Sequence, residues 1–170
     1  MGGVTSVAFS KDGTILASSG GSGNVGKITL WDISNPKVPV QIGPPLSAHT
    51  VGAHTVAFSP DGRTLVSVGG AEGRGEVILW DVSNPRSPIQ LGTMLSGHKE
   101  TVISVAFSRD GKLLASSSAD GTIILWDVSV ESWIERACRI VRRNLTRDEW
   151  AQYLGDEPYH KTCEGWPEAQ

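Results

Sequence analysis

One pattern occurs three times in register, and it limits what this chain can fold into more than any other feature. Val4-Thr-Ser-Val-Ala-Phe-Ser10 recurs as His54-Thr-Val-Ala-Phe-Ser59 and as Ile103-Ser-Val-Ala-Phe-Ser108, with Phe9, Phe58 and Phe107 spaced 49 and 49 residues apart. Each copy runs into a turn: Lys11-Asp12-Gly13, Pro60-Asp61-Gly62 or Arg109-Asp110-Gly111. A small-residue stretch follows (14–19, 63–68, 112–117), and then a Leu-Trp-Asp ending at Asp32, Asp81 or Asp127. Self-similarity at such a period marks units that bury their apolar faces only by stacking on one another.

Within each unit the period is that of strands. Short runs of Val, Ile, Thr and Phe broken by Asp-Gly or Gly-Gly predict antiparallel hairpins. The x-Asp-Gly turns fit a type I turn closed by a glycine of positive φ, in a three-residue loop. After the first two Trp-Asp pairs comes a further matched stretch, Ser34 to Gly43 and Ser83 to Gly92. Its prolines suit an outer edge strand rather than a central one.

Inner strand, Asp-Gly turn, small-residue strand and Leu-Trp-Asp, in that order, resemble the WD-repeat (WD40) β-propeller family over residues 4 to about 130. The resemblance implies radial blades of four antiparallel strands and a rigid platform for protein or peptide ligands, without catalysis. The expected fold is thus all-β, a partial propeller of three blades (1–46, 47–95 and 96–130) followed by a helical tail over 131–170. The third blade reaches Val128 without an outer strand, and three blades are fewer than the ~4–8 that close a ring. The expectation is a piece of a longer protein or one protomer of a ring, so further blades, in cis or in trans, join protein ligands as expected partners.

Members of this family often tie each blade together with a His–Ser/Thr–Asp–Trp hydrogen-bond network. Blade three carries the whole set as His98, Ser117, Asp120 and Trp126. The serine is chosen by register: a tip at Asp120-Gly121 sets Trp126 opposite Ala115 and puts Ser117 on the tryptophan's face. Loss of so buried an aromatic in Trp126→Ala is expected to cost ~3–5 kcal/mol. Blade two has His49 and Trp80, but Val68 at the serine position and no matching aspartate in the Gly69 to Gly75 hairpin. Blade one has Ser19 and Trp31 without a histidine. The Gly20 to Gly26 and Gly69 to Gly75 segments read as flexible hairpin extensions, since no lysine-serine step or helix start follows them to hold phosphate. A His–Ser–Asp set also suggests a hydrolase, but nothing resembles a strained nucleophile elbow. The structural reading is preferred, with no enzyme activity and no cofactor.

From Glu131 the period becomes helical. Trp133, Ile134, Ala137, Cys138, Ile140, Val141 and Leu145 fall on one arc, with Arg136, Arg139, Arg142 and Arg143 on the other. Thr146-Arg-Asp-Glu149 reads as a capping box, with Trp150 and Leu154 on one face and Gly155 at the stop. Cys138, Cys163 and His160 match no short metal motif and a fourth ligand is not evident, so no metal is expected; the residues leave open whether Cys138 and Cys163 pair, and core packing is the preferred reading of Cys138. The wording Trp-Ile-Glu-Arg-Ala-Cys-Arg-Ile and Asp-Glu-Pro-Tyr resembles the tails that follow the last blade in large bacterial signalling proteins with WD-repeat sensors.

Charge and composition remove other classes. Hydrophobic residues at 39% and charged ones at 19% describe a globular chain rather than a disordered one. A net charge of −3 gives no general pull toward nucleic acid or anionic lipid. No apolar run approaches the ~20 residues of a membrane span. Met1-Gly2-Gly3-Val4 has no basic region leading into an apolar core, so a cytoplasmic setting is expected.

Overall fold

The computed structural model describes residues 3–21, 25–71, 74–154, 158, 160–161, 163, 165 and 166. The chain divides into two compact units, Met1–Trp126 and Asp127–Gln170.

Among the described residues, the repeats form three antiparallel sheets. The first is β1 (Val4–Phe9), β2 (Ile15–Gly21), β3 (Gly26–Asp32) and β4 (Val40–His49) in that order. The second repeats it as β5 (Ala53–Phe58), β6 (Thr64–Ala71), β7 (Arg74–Asp81) and a short β8 (Ile89–Gln90). The third consists of β9 (Val102–Phe107), β10 (Leu113–Ser118) and β11 (Ile123–Asp127), with β11 at its edge. This is the expected partial propeller.

The Asp-Gly turns differ from expectation by one residue. The N–H of Ser10, Ser59 and Ser108 bonds the carbonyl of Ile15, Thr64 and Leu113 at 2.8, 2.8 and 2.9 Å, which leaves four residues in each loop. The serine hydroxyl is the reason. It donates to Asp12, Asp61 or Asp110 (2.6, 2.5 and 2.6 Å) and accepts the N–H that starts the next strand at 2.9 Å in each case. Those hydroxyl bonds are the main cause holding all three aspartates below the usual carboxylate range. The glycine that follows has φ of 72°, 81° and 72°, as expected.

The outer strands begin later than expected. Residues 36–39 carry Pro36 and Pro39, which lack the N–H of a ladder, and Val38 N–H instead closes a turn on the Asn35 carbonyl at 3.0 Å. β4 then runs to His49, and its register slips between the Ile28 and Leu30 pairings, where Pro44 and Pro45 sit.

Packing joins one blade to the next. A core of Ala17, Ile28 and Leu30 from blade one meets Val56, Leu65, Ile78 and Trp80 from blade two. Thr5 Oγ1 donates to the Ala53 carbonyl (2.6 Å), and Thr55 Oγ1 to that of Ile103 (2.7 Å). At Gly26 and Gly75, 49 residues apart, glycine serves close approach rather than a flexible hairpin. A Cβ on Gly26 would lie 2.5 Å from Ala53 N, and one on Gly75 would lie 2.5 Å from Glu100 O and 2.6 Å from His98 Cβ. Backbone cannot yield as a side-chain tip can. Gly75→Ala is expected to cost ~1–3 kcal/mol, the range for overpacking, by pushing blade three away. Chemical denaturation reads this; an unchanged midpoint contradicts it. Residues 22–24 and 72–73 of the two hairpins lie outside the described residues.

In the second unit, α1 (Val130–Val141) starts at Ser129, whose hydroxyl accepts Ser132 N–H at 3.2 Å. The helical arc does not reach Leu145. Arg142 takes a left-handed conformation (φ 56°) and caps the helix with an N–H to the Cys138 carbonyl. Arg143 leaves the polar face to grip Glu149 bidentately at 2.6 and 2.7 Å, which holds that carboxyl down to about 2. α2 (Arg147–Leu154) opens with the expected capping box: Glu149 N–H to Thr146 Oγ1 (3.1 Å) and Thr146 N–H to Glu149 Oε2 (2.9 Å). Trp150 is buried, while the Leu154 side chain and Gly155 lie outside the described residues. Cys138 is not simply packed: it is disulfide-bonded to Cys163, 25 residues away, with Cα atoms 5.5 Å apart. Buried Asn144 binds both the N–H and the carbonyl of Cys163 (2.8 and 3.1 Å) and holds the same clasp. Among the described residues, no helix is long and apolar enough to cross a membrane.

Candidate functional site

Blades two and three each contain a polar chain that starts at tryptophan. In blade three, Trp126 Nε1–H donates to Ser116 Oγ at 2.8 Å, and Ser116 Oγ lies 2.8 Å from His98 Nε2. His98 Nδ1 lies 3.3 Å from Asp120 Oδ2 and 3.1 Å from Thr122 Oγ1. Asp120 also accepts the N–H of Lys99 (2.8 Å) and of Thr122 (2.9 Å) and the Thr122 hydroxyl (2.6 Å). The Thr122 hydroxyl leads the causes that hold the Asp120 carboxyl far below the carboxylate range.

The chemistry orients every proton. Indole N–H only donates, so Ser116 oxygen accepts it. A carboxylate only accepts, so His98 presents Nδ1–H to Asp120, and in that neutral tautomer Nε2 accepts the serine hydroxyl. Tryptophan, serine, histidine and aspartate thus form a one-way chain.

The serine is Ser116, not Ser117. Ser118 N–H bonds the Thr122 carbonyl at 3.2 Å, and Gly121 N–H bonds the Ser118 carbonyl at 3.1 Å, so the hairpin tip is Ala119-Asp120-Gly121 rather than Asp120-Gly121 alone. Counting back from that closing pair moves Trp126 from Ala115 to Leu114, and a one-residue slip turns every side chain to the other face. The same register is seen at Leu65–Trp80 and Leu16–Trp31 in the other blades.

The same register completes the polar chain of blade two. Trp80 Nε1–H donates to Ser67 Oγ (2.9 Å), which lies 2.8 Å from His49 Nε2, and His49 Nδ1 lies 3.0 Å from Glu76 Oε2. Val68 is not at the serine position; it faces the opposite way. Glu76, fully buried, replaces the aspartate and takes the Thr50 N–H (3.1 Å) and hydroxyl (2.8 Å) as well. Its longer side chain reaches from strand β7 where Asp120 reaches from a tight hairpin. A signal for it exists in the sequence: Glu76, Ile78 and Trp80 alternate, so all three share one face.

Blade one has the tryptophan and serine alone. Trp31 Nε1–H donates to Ser18 Oγ at 2.9 Å. Ser19, the expected partner, points away and lies 3.1 Å from Thr5 Oγ1 and 3.4 Å from the blade-two carbonyl of His54.

Burial lowers the readiness of His49 to take a proton, against the pull of Glu76. In the unfolded chain a histidine protonates near pH ~6.5. Below that pH the unfolded state binds the proton that the folded state resists, so stability falls as pH falls and recovers toward pH ~7. Urea midpoints across pH ~5 to 7 are expected to rise, and His49→Gln to flatten the rise; a slope equal in both chains contradicts it.

Ser–His–acid is also the order of a hydrolase. Here Ser67 and Ser116 are buried and each accepts an indole N–H. Among the described residues, no buried side-chain nitrogen or oxygen lacks a partner, and no group of three His, Cys, Asp or Glu could hold a metal. His160 packs edge-on against Trp150 with ring centroids 4.6 Å apart.

A search of curated proteins finds no match. The sequence profile of the WD domain, G-beta repeat, matches residues 1–32, 39–81 and 89–127, well over half of the chain. With three in-register sheets that each contain the Trp-Asp strand, the chain belongs to the WD40 repeat family, whose domains are generally non-catalytic protein-interaction and scaffold modules.

Proposed function

We propose that this chain is a non-catalytic, protein-binding sensor segment of a larger bacterial signalling protein, and that it binds neither nucleic acid nor membrane. The observation that supports this reading best is what the blades do with their reactive groups. Each Ser–His–acid set is engaged from end to end in holding tryptophan, which leaves loops on a stiff frame as the surface for recognition. One such surface is the groove between the first two Asp-Gly turns, lined by Lys11, Asp12, Asp61, Arg63, Ser83 and Pro85. A photo-crosslinking residue in place of Lys11 or Arg63 is expected to capture one protein in the source cells, and excess untagged chain to compete it away. Capture that is never competed contradicts the reading.

A cytoplasmic setting is part of this proposal, and the Cys138–Cys163 bond stands against it, since such bonds are rare where thiols are kept reduced. Alkylation in intact cells decides: two labelled thiols support the setting, and a protected pair contradicts it.

A second reading, a homo-oligomer that completes a propeller ring, is favoured by one observation: apolar residues are uncovered on both end faces of the blade array.

A further inference from the structure

The repeat allows each blade's surface to be compared with its own equivalents. Val7, Val56 and Val105 occupy one position of the inner strand, on the side facing the preceding blade. Val56 and Val105 are 3% and 7% exposed, but Val7 is 55% exposed. Val4 and Phe9 are exposed beside it. At the other end, Leu30, Leu79 and Leu125 occupy one position of the Trp-Asp strand, on the side facing the following blade. Leu30 and Leu79 are 3% and 4% exposed, and Leu125 is 66% exposed, with Ile123 open next to it.

The glycine five residues before each Trp-Asp tryptophan repeats the contrast. Added Cβ atoms at Gly26 and Gly75 would strike the next blade, whereas one at Gly121 meets nothing within 4 Å. Ser117 belongs to this face too. It is the equivalent of Ser19, whose hydroxyl lies 3.4 Å from the His54 carbonyl of the following blade.

The chain therefore carries, uncovered at its two ends, the two halves of an interface that it already makes twice internally. We propose that a second copy of this chain occupies both: the Val4, Val7 and Phe9 face of one copy seats on the Ile123 and Leu125 face of the other, and the reverse. The proposal rests on the oligomer reading above and adds which surfaces meet. Such a contact is heterologous, and it closes when the rotation per copy permits. The three sheets of the described residues, taken twice, make six blades, within the ~4–8 of the fold. The faces are apolar and the chain's charge is small, so neither steering nor repulsion opposes the match.

Light scattering on the purified 170-residue chain tests it. The expected mass is twice the 18.1 kDa of one chain. Val7→Asp and Leu125→Asp sit at exposed positions and leave the internal core intact, which circular dichroism checks. Each variant alone is expected to raise the dimer dissociation constant at least about tenfold, since a charge would be buried at the contact. Mixed in equal amounts, the two variants are expected to dimerise again, because one contact in the pair then joins two unaltered faces. A chain that stays single at all concentrations overturns both this proposal and the oligomer reading. A dimer that survives both substitutions, or one that mixing does not restore, overturns the head-to-tail contact and leaves oligomerisation standing.

Discussion

Trp80→Ala is expected to lower the unfolding free energy by ~3–5 kcal/mol, the range for deleting a buried aromatic from a core. Trp80 packs in the cluster that joins blades one and two, with Leu65, Ile78 and Val82 around it. Its loss opens a cavity there and strips Ser67 of the indole N–H it accepts at 2.9 Å. The same change at Trp126 is expected to cost about half as much. That revises the sequence-based expectation: Trp126 is only half-buried, in a sheet with β11 at its edge. Thermal or urea unfolding of the two variants checks the order. Equal losses, or a larger one at Trp126, contradict the assignment of blade two as the packed centre.

Glu76→Leu is the second large effect. The side chain is fully buried and accepts from His49, from the Thr50 N–H and from the Thr50 hydroxyl. Leucine fills similar space but orphans His49 Nδ1–H and the Thr50 N–H. At ~1–3 kcal/mol for each buried donor left without a partner, the expected cost is about 3 kcal/mol or more. Glu76→Gln retains an acceptor oxygen and is expected to recover roughly half of that. If leucine is tolerated without loss, Glu76 does not close the blade-two chain, and the parallel with Asp120 fails.

What could be read from residues alone follows from where the physics is local. Three hairpin sets with β-branched runs and Asp-Gly turns lead to three sheets because period and turn chemistry are properties of short segments. Residue 116 was not reachable in that way. Its facing depends on whether the tip is Asp120-Gly121 or Ala119-Asp120-Gly121, and the Ala119 N–H, bonded at 3.0 Å to the carbonyl of Thr101 just before β9, belongs to that choice. Glu76 is legible by alternation, although it stands on strand β7 and not in a hairpin tip as Asp120 does. Cys138 and Cys163 meet through the turn at Arg142 and the Asn144 clasp, both of which arise only once the tail has folded.

Hydrogen exchange at two protein concentrations tests most directly whether the ends of the blade array are halves of its own internal interface. In dilute solution, amides of Thr64–Ala71 and Arg74–Asp81 should exchange slowest, and those of Val4–Phe9 and Ile123–Asp127 fastest. Raising the concentration should slow both end strands together while β6 and β7 stay as they were. Slowing at one end alone, or end strands as protected as β7 at every concentration, would contradict the account.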